Sequence, residues 1–184
     1  MIRFLLVTLA LLAPALAEPL RIAVATDAPA ASEAWVKWLS ERGLTATPAD
    51  LSANSLEKAD VVLLQRGNTE KLPPAAQEAL ISFAQRGGGL VFLNQAIAAN
   101  APNLSKSLAG AAWSDRTRSF TSLTMLYLAT DIHPVAAASS AYDVSDVTVY
   151  DYDLADSPNL TVIASAFTPK LSDRRDDNRP PADP

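Results

Sequence analysis

"FAQRGGGLVFLNQA", Phe83 to Ala96, places three glycines between a run with helical spacing and a run of strand length, and it closes just after Asn94. Ala76, Leu80, Phe83 and Ala84 make one apolar stripe at helical spacing. Pro73 and Pro74 open that helix in the first turn, where a missing N–H costs little. Gly87 stands where the helix must stop, and "GLVFLN" then reads as a strand. The order matters. In a dinucleotide fingerprint the glycines follow a strand and open a helix, whereas these close a helix and open a strand, and Phe92 occupies the last small-residue position. The triplet therefore reads as a helix cap and a tight entry to a sheet, not as a phosphate cradle.

Outward from this stretch the same elements repeat. "LRIAVAT", Leu20 to Thr26, and "ADVVLLQ", Ala59 to Gln65, are nearly continuous apolar runs of strand length, which suits strands covered on both faces. Between them, Ser32 is placed to cap a helix whose Trp35, Trp38 and Leu39 share a face and become core candidates, with Gly43 after its last turn. "LTATPADL" is a further strand that Pro48 consigns to an edge or an end. The resulting order β-α-β-β-α-β predicts an α/β fold, a mainly parallel sheet flanked by helices on both faces in a flavodoxin-like three-layer sandwich. Ligands of such sheets gather at the carboxyl ends of the strands, here Asp27, Gln65–Arg66 and Asn94–Gln95.

The second half is less regular. "FTSLTMLYLAT", "DIHPVA" and "YDVSDVTVYDYDL" precede "LTVIASAF", Leu160 to Phe167, which reads as a buried strand and the end of the folded part. Residues 168–184 mix both charges with prolines around one large apolar residue, Leu171, and read as a disordered tail or linker. At the other end, residues 1–17 carry Arg3, an apolar run and Ala15-Leu16-Ala17, the pattern of a cleaved signal peptide, and the run is short for a membrane span. The expected mature domain is 18–167, periplasmic or secreted, with no stable membrane insertion.

Loss of Arg3 with the leader leaves 14 basic against 20 acidic side chains, a net charge of −6, which repels phosphate backbones and argues against nucleic acid as a partner. Cysteine is absent from all 184 residues, so disulfides, thiol nucleophiles and cysteine-ligated metals are excluded. His133 is the sole histidine, which excludes sites needing two imidazoles but permits a base or an anchor, held extended by Pro134. Asp131 lies beside it. The aspartates of "YDVSDVTVYDYDL" lack the spacing of a calcium loop. No metal or cofactor is expected.

"ADVVLLQ", the helix running into "GGGLVFLN", "WSDRTRSF", "DIHPV" and "LTVIASA" occur in the order of the motifs of the ThuA-like family, named for trehalose utilisation, which the chain resembles over roughly Leu20 to Lys170. The resemblance implies the fold of class I glutamine amidotransferases. It also implies a small polar ligand, carbohydrate or related, at the carboxyl edge of the sheet. His133 is then acid, base or anchor, and Asp131 orients it. Asn94, with Gln95 and Arg66 nearby, bonds hydroxyls, and Trp113 offers a stacking face. Two departures stand out. The family has histidine where Asn94 stands, and its members continue past the point where this chain reaches Pro184, which suggests truncation. The glutaminases of this fold use a cysteine on the fourth strand, so glutaminase activity by that route is excluded. The alternative is a non-catalytic interaction module or an N-terminal fragment of a larger secreted enzyme.

Overall fold

The computed structural model describes residues 19–128, 142–150, 152–161 and 164–167. The chain divides into two compact units, Met1–Ala109 and Gly110–Pro184. Residues 1–17, Asp131, His133 and residues 168–184 lie outside the described residues, and with them the expected leader and tail.

In the first unit, β1 (Arg21–Thr26), β2 (Thr45–Pro48), β3 (Val61–Arg66) and β4 (Gly89–Asn94) form a sheet in the order β2-β1-β3-β4. Every pairing is parallel. Strand side chains alternate between faces. Ile22, Val24 and Leu63 therefore meet Leu39 and Trp35 of α1 (Pro29–Ser40), while Ala23, Ala25, Val62 and Leu64 meet Leu80 and Phe83 of α3 (Pro74–Gln85). Helices thus cover both faces, which is why the strands read as unbroken apolar runs rather than alternating ones. Leu80 and Phe83, 0% and 2% exposed, each contribute about 2–3 kcal/mol through removal from water. Pro48 ends the edge strand β2, where its missing donor is harmless.

The structure corrects three local expectations. Ser32 is not the cap of α1. The helix begins at Pro29, and the Ser32 hydroxyl, inside its first turn, donates to the Val24 carbonyl of β1 at 3.4 Å. Proline preset for the first turn starts the helix earlier than the serine does. Trp38 is not core, being 44% exposed, edge-on to Trp35 and covered by the Arg42 guanidinium 3.8 Å from its ring centroid. The stripe runs off the side of the sheet, so Trp35 and Leu39 reach the strands and Trp38 does not. Third, the link from β2 to β3 holds one more helical turn, α2 (Ala53–Leu56), capped by the Ser52 hydroxyl, which accepts from the Ser55 N–H at 3.3 Å.

At the amino end of the sheet Asp60 takes three bonds from Arg21, from its backbone N–H at 2.9 Å, Nε at 3.1 Å and Nη2 at 2.9 Å. Arg21 holds the Asp60 carboxyl down to about 2, against an ordinary 3.8. A depressed folded-state value contributes stability above the unfolded-state value that is lost as pH falls through the folded one. Stability of the wild type is thus expected to drop between about pH 4 and pH 2. Asp60→Asn should flatten part of that drop in urea titrations taken across the range.

In the second unit β5 (Ala111–Ala112) pairs antiparallel with β8 (Asp153–Leu154). β6 (Arg118–Leu128) lies between β7 (Tyr142–Tyr150) and β9 (Ala164–Phe167), both antiparallel to it. "LTVIASAF" therefore supplies an antiparallel strand, and the parallel pattern belongs to the first unit.

Candidate functional site

The carboxyl ends of β1, β3 and β4 converge because the strands are parallel and in register. Thr26 pairs with Gln65, and Arg66 with Asn94. Adjacent strands lie about 4.8 Å apart, so Arg66 and Asn94 are immediate neighbours on the sheet edge.

Asn94 has φ 55° and ψ −124°, outside the regions open to ordinary L-residues. The chain turns there sharply from β4 into a 3-10 turn, Gln95–Ala99. This is a strand-to-helix elbow of the kind that lifts one side chain clear of a sheet. Asn94 is exposed, and among the described residues its side chain caps nothing. A non-glycine residue held this way costs of order 1–3 kcal/mol and persists where its surroundings over-determine it. Those surroundings are visible. Lys71 Nζ donates to the carbonyls of Ala98 at 2.6 Å and Asn100 at 2.8 Å, the Leu72 N–H donates to Ala99 at 2.7 Å, and the Ser105 hydroxyl, on α4 (Pro102–Ala109), donates to Ile97 at 2.7 Å. Hydrogen bonds from two other segments thus pin the turn that follows the elbow. Gln95, the first residue of that turn, is half-buried.

Arg66 is held by a relay from the end of β1. The Asp27 carboxylate accepts the Gly67 N–H and the Asn68 side-chain amide, both at 2.8 Å. The Asn68 carbonyl oxygen in turn accepts from Arg66 Nη2 at 2.8 Å and the Glu70 N–H at 3.0 Å. Asp27 therefore acts as a positioning group. Gln65 turns to the opposite face, where its carbonyl oxygen accepts from the Trp35 indole at 3.2 Å. That division follows from strand alternation and separates two residues that are adjacent in sequence.

Trp113 belongs to the second unit, half-buried and edge-on to Tyr152 with ring centroids 6.2 Å apart. Burial pushes the Tyr152 phenol up. His133 and Asp131 lie outside the described residues. Of the nominated side chains the structure thus brings together Arg66, Asn94 and Gln95. Asn68 and Lys71 join them without having been legible in the sequence. Asn68 follows a glycine in "RGNTEKL", a turn signal that identifies the loop but not its reach back to Asp27, and Lys71 carries no local signal at all.

Chemically, an elbow amide that donates and accepts beside a guanidinium that only donates can orient a polar ligand. Neither group is a nucleophile.

No family model matches the chain, and no curated protein matches it. Solved structures similar to it include the following two. A protein described as ThuA-like, from Bacteroides uniformis ATCC 8492, has 16% identity and a TM-score of 0.60, over 82% of this chain and 69% of that one. Another, described as belonging to GMP synthase, from Thermoplasma acidophilum, has 14% identity and a TM-score of 0.54, over 83% and 75%. At such identities the likeness establishes the architecture: this chain has the α/β fold shared by a ThuA-like protein and a glutamine amidotransferase-like one, with an asparagine at its strand-four elbow.

Proposed function

We propose that this chain is an exported ThuA-like domain that binds a small polar ligand, a carbohydrate or a close relative, at the carboxyl edge of the parallel sheet, without glutaminase chemistry. The observation that supports the reading is the strained elbow at Asn94, which retains the exposed geometry of a functional turn while carrying a residue able only to hydrogen-bond. A merely structural turn gains nothing from a non-glycine residue at φ 55°. Arg66 supplies a second donor beside it, and the absence of cysteine removes the nucleophile that glutamine hydrolysis needs. His133, with Asp131, is assigned on the "DIHPV" motif as the ligand's anchor or proton-transfer group, and Trp113 as a stacking face. Export rests on the leader at 1–17.

Asn94→Gly separates the two roles of the position. Glycine relieves the backbone strain, so the variant is expected to gain about 1 kcal/mol in stability. Lost hydrogen bonds are expected to weaken sugar binding by about tenfold or more. Calorimetric titration of the mature protein with trehalose and glucose, beside His133→Ala, checks this. Unchanged binding in both variants, or no binding by the wild type, removes the proposal.

A further inference from the structure

A cavity of about 160 Å³ lies on the α3 face of the sheet, behind the elbow edge, with Arg66 and Thr26 at the strand ends and Leu64, Leu72 and Ala76 among its walls. Three features set it apart from a packing defect. The first is charge. Arg66 lines the cavity, and its Nε is buried without a partner among the described residues, although Asn68 holds Nη2. A guanidinium proton left unmatched inside a protein is rare enough to call for an acceptor. The second is strain. Leu51, in the wall, sits at φ 61°, a left-handed conformation uncommon for a bulky residue and typical of ligand clamps. The third is a carboxylate of opposite sign. Asp50 lines the same cavity and accepts the Ser52 N–H at 2.9 Å through one oxygen. Bonds from Ser52 hold its carboxyl down to about 2, so Asp50 is ionised at neutral pH.

A cation and an anion at separate points of one small space, whose remaining lining apart from Thr26 is aliphatic side chains, define a ligand by its chemistry. The volume matches a cavity that accepts benzene, a molecule of about six heavy atoms. We propose that this cavity binds a small monocarboxylic acid that also carries a hydrogen-bond donor, a short hydroxy or amino acid. Its carboxylate takes the free Nε–H of Arg66, its hydroxyl or ammonium donates to Asp50, and its carbon chain lies against Leu64, Leu72 and Ala76. Asp50 also sets specificity, because a second negative charge on the ligand would face it unpaired. The site shares Arg66 with the carbohydrate reading and no other residue of it: all its lining residues belong to the first unit, and Asn94 is not among them.

The test is titration of the full-length mature protein, followed by NMR shifts of backbone amides at 25–27, 49–52 and 64–68, with lactate, alanine, succinate and 2-propanol. Lactate or alanine is expected to bind with a Kd of about 1 mM, and succinate about tenfold more weakly. Arg66→Gln should weaken lactate or alanine by about tenfold or more. Ala76→Met, which fills the space from α3 and leaves both charges in place, should do the same, and it covers the case in which Arg66→Gln does not fold. Asp50→Asn should close the gap between lactate and succinate. The proposal is overturned by the absence of saturable shifts with either acid at about 50 mM, by 2-propanol binding as well as lactate, or by acid binding that survives Arg66→Gln or Ala76→Met. Sugar titrations run in parallel keep the two proposals apart, since either ligand class can fail while the other binds.

Discussion

Gly88→Ala is expected to lower the stability of the chain by about 3 kcal/mol, the upper range for forcing an extra methyl into a packed core. A Cβ built on Gly88 would overlap the ring of Phe83 at three of its carbons. The backbone is not the obstacle, since the left-handed conformation in this stretch is that of Gly87, at φ 88°. The obstacle is the ring. Phe83 is 2% exposed and packs in the same cluster as Val62 and Leu80, so it cannot swing aside. The Gly88 N–H donates to the Phe83 carbonyl at 3.1 Å, which also stops the backbone from retreating. The Gly89 N–H then joins the Asp60 carbonyl at 3.0 Å and delivers the chain into β4. Urea denaturation of wild type and variant measures the loss. Repeating it in a Phe83→Leu background identifies the cause, because the Gly88→Ala penalty should shrink by at least about 1 kcal/mol if the ring is what it strikes. An unchanged penalty would place the effect elsewhere.

Lys71→Met should cost about 2 kcal/mol, although Lys71 itself is exposed. The cost arises at the acceptors. Ala98 and Asn100 are 2% and 1% exposed, and their carbonyls lose a charged donor that water does not replace. Methionine keeps the length of the stem and removes only the ammonium. Lys58→Met, another exposed lysine on the first unit, serves as the control and should stay within about 0.5 kcal/mol. The same experiment bears on the elbow. The turn after Asn94 is what keeps that residue in its strained conformation, so amide exchange at 95–100 should accelerate in Lys71→Met beyond the change in global stability. Uniform acceleration across the first unit would show that Lys71 supports the fold and not the elbow in particular.

Much of this molecule can be read from local pattern. Apolar runs at 20–26, 59–65 and 89–94 with helical stripes between them are sufficient for a parallel sheet covered on both faces, because only doubly covered strands are apolar throughout. The glycine triplet likewise declares its role by order, closing a helix before it opens a strand. Trp38 defeats the same reasoning, because helical spacing reports which residues share a face but not where that face leaves the sheet. Ser32 defeats it for another reason: proline and serine both signal helix starts a few residues apart, and the earlier one prevails. The exposed sheet edge holding Arg66 and Asn94 is legible as well, since parallel strands must end together.

The sequence by itself determined which segments of the first half are strands and helices, that this half is parallel, and that no thiol chemistry is possible, since each of these depends on spacing or composition within a few residues. The tertiary structure alone decided that Asn94 is held at an elbow, that Lys71 and Ser105 brace it, that Asp27 aims Arg66 through Asn68, and that Arg66 and Asp50 share a cavity. The bonds from Lys71 and Ser105 to the turn and from Asn68 to Asp27 join residues 8 to 41 positions apart in the chain, and their geometry depends on how the layers stack. No periodicity encodes that, because a polar side chain acquires its partner only after the apolar faces have fixed where the strand ends lie.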